Sequence, residues 1–138
     1  MQQDPTHVGQ RTRRKVLIVD DQAKICFALG EYFTFRGYDV RTVFSGEEAI
    51  ALQPAYHPEV VLLDLLMPGL GGVETLKQLK RTQPCPTVIM MSVADHEEVV
   101  QGSLHLGADF YVTKPIDFSK LEELVSGYFG SAPHSTPV

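Results

Sequence analysis

The sequence predicts a doubly wound α/β domain: a five-stranded parallel sheet in the order 2-1-3-4-5, with helices on both faces. Three observations carry that expectation. Val16-Leu17-Ile18-Val19 and Val60-Val61-Leu62-Leu63 are near-continuous apolar runs, as strands buried on both faces require. Strand-like and helix-like segments alternate five times, which short right-handed crossovers convert into parallel strands. The ends of four strands carry Asp20-Asp21, Asp64, Ser92 and Lys114, and an open parallel sheet gathers its ligands at that edge.

Residues 1-13 read as a flexible arm, polar over its first ten residues with Pro5 and Gly9; Arg11, Arg13, Arg14 and Lys15 form a short basic cluster that reads as a solvated flank before the first strand. Val16–Val19 is the first strand. A helix follows from about Gln22 to Phe35, with Ile25, Leu29, Tyr32 and Phe33 on one face and Gly37 as its terminator. Tyr38 to Phe44 alternates as an edge strand. Ser45-Gly46-Glu47-Glu48 is a capping box for a short helix ending before Pro54. The strand ending at Asp64 comes next, then a loop forced by Pro68 and its glycines. A helix from about Gly72 to Arg81 carries Val73, Leu76 and Leu79 inward and Lys77, Lys80 and Arg81 outward. Thr87 to Ser92 is the fourth strand. Asp95 to Leu106 is a weaker helix, interrupted by Gly102 and closed by Gly107. Phe110 to Thr113 is the fifth strand, and Asp117 to about Phe129 the last helix, with Leu121, Leu124, Val125 and Tyr128 inward. Residues 130-138, containing two prolines, read as a tail or a truncated linker. One switch point in such a sheet gives the flavodoxin-like (βα)5 arrangement.

A chain of 138 residues suits one domain with a real core, and 43% hydrophobic with 21% charged residues is ordinary globular composition. A net charge of -5 argues against direct nucleic-acid binding by this domain. Cys26 and Cys85 lack metal-ligand spacing and read as reduced thiols. No apolar stretch reaches the length of a membrane span, and the start has no hydrophobic signal core, so the expected location is cytoplasmic.

Asp20, Asp21 and Asp64 at one edge repel unless a cation sits among them, and an all-oxygen site suits Mg2+. Lys114 offers a fixed positive charge and Ser92 a hydroxyl for a phosphoryl group, while a carboxylate placed like Asp64 can act as a nucleophile. Taken alone, Asp20-Asp21 reads equally as a helix N-cap, Ser92 as a turn cap, and Lys114 as a surface lysine. Asp64 resists that reading, because a carboxylate closing an apolar strand is costly without partners.

The ordered set Leu17-Ile18-Val19-Asp20-Asp21, Leu63-Asp64-Leu65-Leu66-Met67-Pro68 with Gly72, Met90-Met91-Ser92, and Gly107 through Lys114-Pro115 resembles the receiver domain of two-component response regulators, across about residues 14-129. The resemblance implies that Asp64 accepts a phosphoryl group from the phosphohistidine of a sensor kinase or phosphotransfer protein. Asp21, Asp64 and the Leu66 backbone carbonyl would ligate Mg2+, with Asp20 acting directly or through water. Lys114 would pair with the phosphoryl oxygens, Ser92 would turn toward them, and Tyr111 would follow. The face made by the fourth helix, fifth strand and fifth helix would then change for a partner, an effector domain or a phosphorylation-dependent dimer. Such a domain is a signalling module, at most catalysing its own phosphorylation and dephosphorylation.

Several positions depart from the family pattern. Gly71 replaces a common aspartate, where glycine is an acceptable N-cap. Val93 follows Ser92 in place of a small residue and is expected to crowd the space the switch opens. Ile116 replaces a phenylalanine. Leu66 and Ala94 cannot orient an attacking water, which predicts slow self-dephosphorylation. The last helix carries Lys120 against Glu122 and Glu123, unlike regulators that dimerise with winged-helix effectors. Three other functions compete: a receiver-like docking module that takes no phosphate, a Mg2+-dependent aspartyl phosphatase, and a flavin-binding protein. The intact Asp21, Asp64, Ser92 and Lys114 disfavour the first. Leu66 stands where the second needs a general acid. The acidic loop after Val19 disfavours the third.

Overall fold

The computed structural model describes residues 13–130, so all but the last residue of the expected arm and all but the first of the expected tail lie outside it. Five strands alternate with five helices: β1 (Lys15–Val19), α1 (Ala23–Phe35), β2 (Asp39–Val43), α2 (Gly46–Tyr56), β3 (Val60–Asp64), α3 (Gly71–Lys80), β4 (Thr87–Ser92), α4 (Glu97–His105), β5 (Phe110–Thr113) and α5 (Phe118–Gly130). The sheet runs β2-β1-β3-β4-β5, with every neighbouring pair parallel, as the alternation predicts.

Side chains of a strand alternate between faces, and here the alternation divides the core in two. Leu17, Val19, Val61, Leu63, Val88 and Met90 pack with Ala49 of α2 and with Leu76 and Leu79 of α3. Val16, Ile18, Val60, Leu62, Ile89 and Met91 pack with Cys26, Leu29 and Phe33 of α1 and with Leu121 and Val125 of α5. Each leucine-sized side chain so buried contributes roughly 1.5–3 kcal/mol. Cys26 belongs to this core, although the sequence marks Ile25 and Tyr32 for it; those two are only half-buried.

Three local expectations are corrected. The second helix does not end before Pro54 but runs through it to Tyr56. A proline near the end of a helix removes one hydrogen bond, and the next turn still closes: His57 N–H donates to Gln53 O at 2.8 Å, with His57 left-handed at φ 52°. Tyr56 pins that turn by donating its hydroxyl to Asp39 O at 2.7 Å, and Arg41 lies 4.8 Å from its ring centroid. Burial and the Asp39 carboxylate push its phenol pKa upward. Tyr56→Phe keeps the ring and removes a hydroxyl that faces both Asp39 O and, at 3.2 Å, Asp39 Oδ1, so urea denaturation should show a loss of about 1–2 kcal/mol. An unchanged midpoint would mean that the hydroxyl does not anchor the helix end.

Val73 faces solvent at 40% exposure instead of the core; Thr75 takes a buried place and donates its hydroxyl to Gly71 O at 2.6 Å. Lys80 is not simply outward either. Its ammonium donates to Pro86 O at 2.8 Å and to Asp109 Oδ2 at 2.9 Å, tying α3 to the starts of β4 and β5. The capping box is present with one shift of partner. Glu48 N–H donates to Ser45 Oγ at 3.1 Å, while the Glu48 carboxylate accepts from Phe44 N–H at 2.8 Å. The side chain of Tyr128 lies outside the described residues.

Candidate functional site

Asp64 is the last residue of β3 and is 3% exposed; Asp20, immediately after β1, is fully buried. Their positions follow from the ladder. Val19 pairs with Leu63 and Asp64 with Met91, so β1, β3 and β4 stop at a common edge. Lys114 follows β5 and donates its backbone N–H to Ser92 O at 2.8 Å, which ties the ends of β4 and β5 together.

The polar groups meet at Lys114. Its Nζ lies 2.9 Å from Asp20 Oδ2, 3.5 Å from Asp64 Oδ1 and 3.3 Å from Gln22 Oε1. Asp20 Oδ1 also accepts from Gln22 N–H at 2.9 Å, so this carboxylate shapes the turn into α1 as well as facing the lysine. Asp64 Oδ1 accepts from Leu66 N–H at 3.3 Å. Asp21, Gln22, Asp64, Leu66, Val93 and Lys114 line a cleft of about 210 Å³.

The electrostatics are unbalanced. Burial and the neighbouring Asp20, with a smaller contribution from Asp21, push the Asp64 carboxyl up to about 6; Lys114 and the Leu66 N–H offset only part of this. Burial disfavours the Lys114 ammonium, yet its hydrogen bond to Asp20 and the charges of Asp64 and Asp20 outweigh that, so its pKa rises. Oxygens of Asp20, Asp21 and Asp64 lie within 4.8 Å of one another. Three carboxylates so close, two of them buried, against one ammonium make a donor set that fits a hard divalent cation.

Of the residues marked by the sequence, Asp20, Asp21, Asp64, Leu66 and Lys114 converge. Ser92 is fully buried beside the cleft and does not line it; its Oγ accepts from Ala94 N–H at 3.0 Å. Tyr111 is half-buried and donates its hydroxyl to Ala94 O at 2.6 Å. Ser92 and Tyr111 therefore hold the two faces of one residue in the loop after β4. Val93 is 65% exposed and lines the cleft. Gly71 has φ +80°, a backbone region that strains other residues, and it opens α3 after the N-cap Leu70, so it is not itself the cap that the sequence suggests.

Sequence reading passes over two residues. Gln22 reaches Lys114, and only its place directly after the acidic pair hints at that. Cys26 donates its thiol to Asp20 O at 3.1 Å beneath the site, where burial and Asp20 push its pKa up to about 11. Cys85 is a second free thiol, exposed.

The model of the family "Response regulator receiver domain" matches residues 16–126. The chain is 39% identical over 115 residues to "Probable transcriptional regulator ycf27" of Guillardia theta, covering 83% of this chain and 45% of that protein. It is 35% identical over 114 residues to "Sporulation initiation phosphotransferase F" of Bacillus subtilis (strain 168), covering 83% and 92%. A chain of the CheX-CheY-BeF3-Mg+2 complex from Borrelia burgdorferi superposes with a TM-score of 0.78 at 30% identity, covering 84% of this chain and 89% of that one. The chain thus spans less than half the length of the ycf27 regulators it matches, 45% in Guillardia and 46% in Cyanophora paradoxa. Among the described residues no helix is long and apolar enough to cross a membrane. With the family match running from β1 into α5, the chain belongs to the response regulator receiver domains.

Proposed function

We propose that this receiver domain is a switch operated by a phosphoryl group on Asp64, taken from the phosphohistidine of a sensor kinase or phosphotransfer protein. One observation carries the reading: Asp64 forms the floor of an open cleft with Lys114 held 3.5 Å from its Oδ1. Oδ1 is occupied by Lys114 and the Leu66 N–H, which leaves Oδ2 to attack phosphorus. As that bond forms, the bond from phosphorus to the donor imidazole nitrogen breaks and its electron pair returns to the ring. Lys114 is already placed to follow the charge onto the phosphoryl oxygens. Asp21, Asp64 and the Leu66 carbonyl, with Asp20 directly or through water, would hold Mg2+, whose charge would offset that of the carboxylates and the phosphoryl group.

The added charge, about -1.5 to -2 units, would draw the Ser92 hydroxyl toward it. Ser92 would then release Ala94 N–H, and Tyr111, bonded to Ala94 O, would feel the loop move. α4, β5 and α5 form the face that changes, and a partner reads it only through its differential affinity for the two forms. On this reading the switch occupies residues 14-129 in the cytoplasm. An arm at 1-13 and a tail or linker at 130-138 flank it, and an effector domain or phosphorylation-dependent self-association provides the output. The relatives named transcriptional regulators support a longer regulator; the phosphotransferase of similar length supports a receiver acting alone.

Incubation with a small acyl-phosphate donor, followed by intact mass, tests the reading. The expected result is a gain of one phosphoryl group that requires Mg2+ and is absent in Asp64→Asn. No adduct on a folded, Mg2+-binding domain would instead favour a docking module that takes no phosphate.

A further inference from the structure

We infer that Gln22 orients the water that hydrolyses the phosphoryl group on Asp64, and so sets how long the signal lasts. This rests on the proposed phosphorylation of Asp64. The residues flanking that aspartate leave the job open: Leu66 is 56% exposed and Val93 65% exposed at the cleft, and both are aliphatic. Ala94 is no better able to bind water. Of the other residues lining the cleft, Asp21 belongs to the carboxylate cluster and Lys114 is the charge partner of Asp64. Gln22 is the one remaining side chain there, and it carries both a neutral donor and a neutral acceptor.

Its placement suits the task. The Gln22 backbone N–H is fixed by Asp20 Oδ1 at 2.9 Å, and its Oε1 accepts from Lys114 Nζ at 3.3 Å. Lys114 Nζ donates to Asp20 Oδ2 and to Gln22 Oε1 and faces Asp64 Oδ1 as an ion pair at 3.5 Å. Once Asp64 carries the phosphoryl group it is no longer a free carboxylate, so Lys114 can turn from Asp64 Oδ1, its most distant partner, to a phosphoryl oxygen. Gln22 Oε1 keeps a second lone pair at the cleft, with which it can accept a hydrogen bond from water while Nε2 donates to a phosphoryl oxygen. A glutamine amide positions water for attack on phosphorus in this manner in GTPases. The water oxygen bonds to phosphorus as the bond from phosphorus to the Asp64 oxygen breaks. The electron pair returns to the carboxylate, and the water proton leaves with inorganic phosphate or to solvent.

The test compares the wild-type domain with Gln22→Ala. The side chain is exposed, and the backbone N–H that bonds Asp20 survives in the variant. Both proteins are phosphorylated with the small donor in Mg2+, freed of donor, and followed by intact mass; Mg2+ affinity and thermal unfolding are measured alongside. The expected result is a phosphoryl group still gained by the variant, unchanged Mg2+ affinity and stability, and decay slowed by about tenfold or more. Decay at the wild-type rate, or faster, overturns the inference and leaves the phosphorylation reading intact. A changed Mg2+ affinity or melting point that accounts for the slower decay also overturns it, by giving Gln22 a structural role. If the wild type gains no phosphoryl group, the reading and the inference fall together.

Discussion

Asp64→Asn is expected to stabilise the metal-free domain at neutral pH by roughly 1–3 kcal/mol, although it removes a charge partner of Lys114. The Asp64 carboxyl is raised from 3.8 to about 6, so the folded state holds its proton more tightly than the unfolded chain does. An acid raised in this way costs stability as pH climbs through the interval between those two values. The full cost is present above about 6, and none of it remains below the unfolded value. Asparagine has nearly the same shape and no charge, so its advantage should grow across that interval and vanish in stronger acid. Denaturation in a chelator at several pH values measures it. Millimolar Mg2+ should then narrow the difference, because binding stabilises the wild-type fold by about 2.7 kcal/mol at a hundred times Kd. A variant that is less stable than wild type at neutral pH, or equally offset at all pH values, would show that Lys114 already balances the cluster.

Gly72→Ala should cost about 3 kcal/mol or more. A Cβ at this position would lie 2.5 Å from Asp64 O and 2.6 Å from both Leu65 Cα and Leu65 O, and backbone cannot swing aside as a side-chain tip can. Gly72 N–H also donates to Leu65 O at 3.1 Å, so the first turn of α3 is drawn against the chain that leaves Asp64. Any relief of the overlap must move that chain, and phosphoryl uptake should fall with stability. Gly102→Ala is the matched comparison. It lies within α4 with nothing inside 4 Å of the added carbon, so helix propensity should leave it neutral or stabilised by up to about 1 kcal/mol. Similar denaturation midpoints for the two variants would contradict the close approach at Gly72.

The strands were the most legible part of the chain. β4 and β5 span the residues that the sequence predicts; β4 is buried from end to end, which leaves little ambiguity about where it stops, and β5 is bounded by Gly107 before it and Lys114-Pro115 after it. The strand ends then delivered Asp20, Asp64 and Lys114 to one edge without any knowledge of side-chain contacts. Helix detail was less legible. Pro54 suggested a stop because the loss of one backbone bond is visible in sequence, whereas the Tyr56–Asp39 anchor that compensates is a contact between distant residues. Val73 matched the helical period, but α3 gives its buried places to Thr75, Leu76 and Leu79. Gln22 was illegible for a related reason. An exposed amide carries no periodic or charge signal, and its role appears only when Lys114 arrives from the far end of the chain.

That arrival bears on how the molecule comes into being. Asp20 and Lys114 are 94 positions apart, and the sheet brings them together only through the pairings of β1 with β3, β3 with β4 and β4 with β5. A nascent chain that has emerged only through β4 carries the carboxylates of Asp20, Asp21 and Asp64 with no ammonium to face them. The loop-closure entropy of so distant a pair must be met by the rest of the sheet, since one ion pair cannot meet it. The chemistry of this edge is therefore absent from any fragment and belongs to the completed topology, so responsiveness to signal and completion of folding coincide in the same final strand.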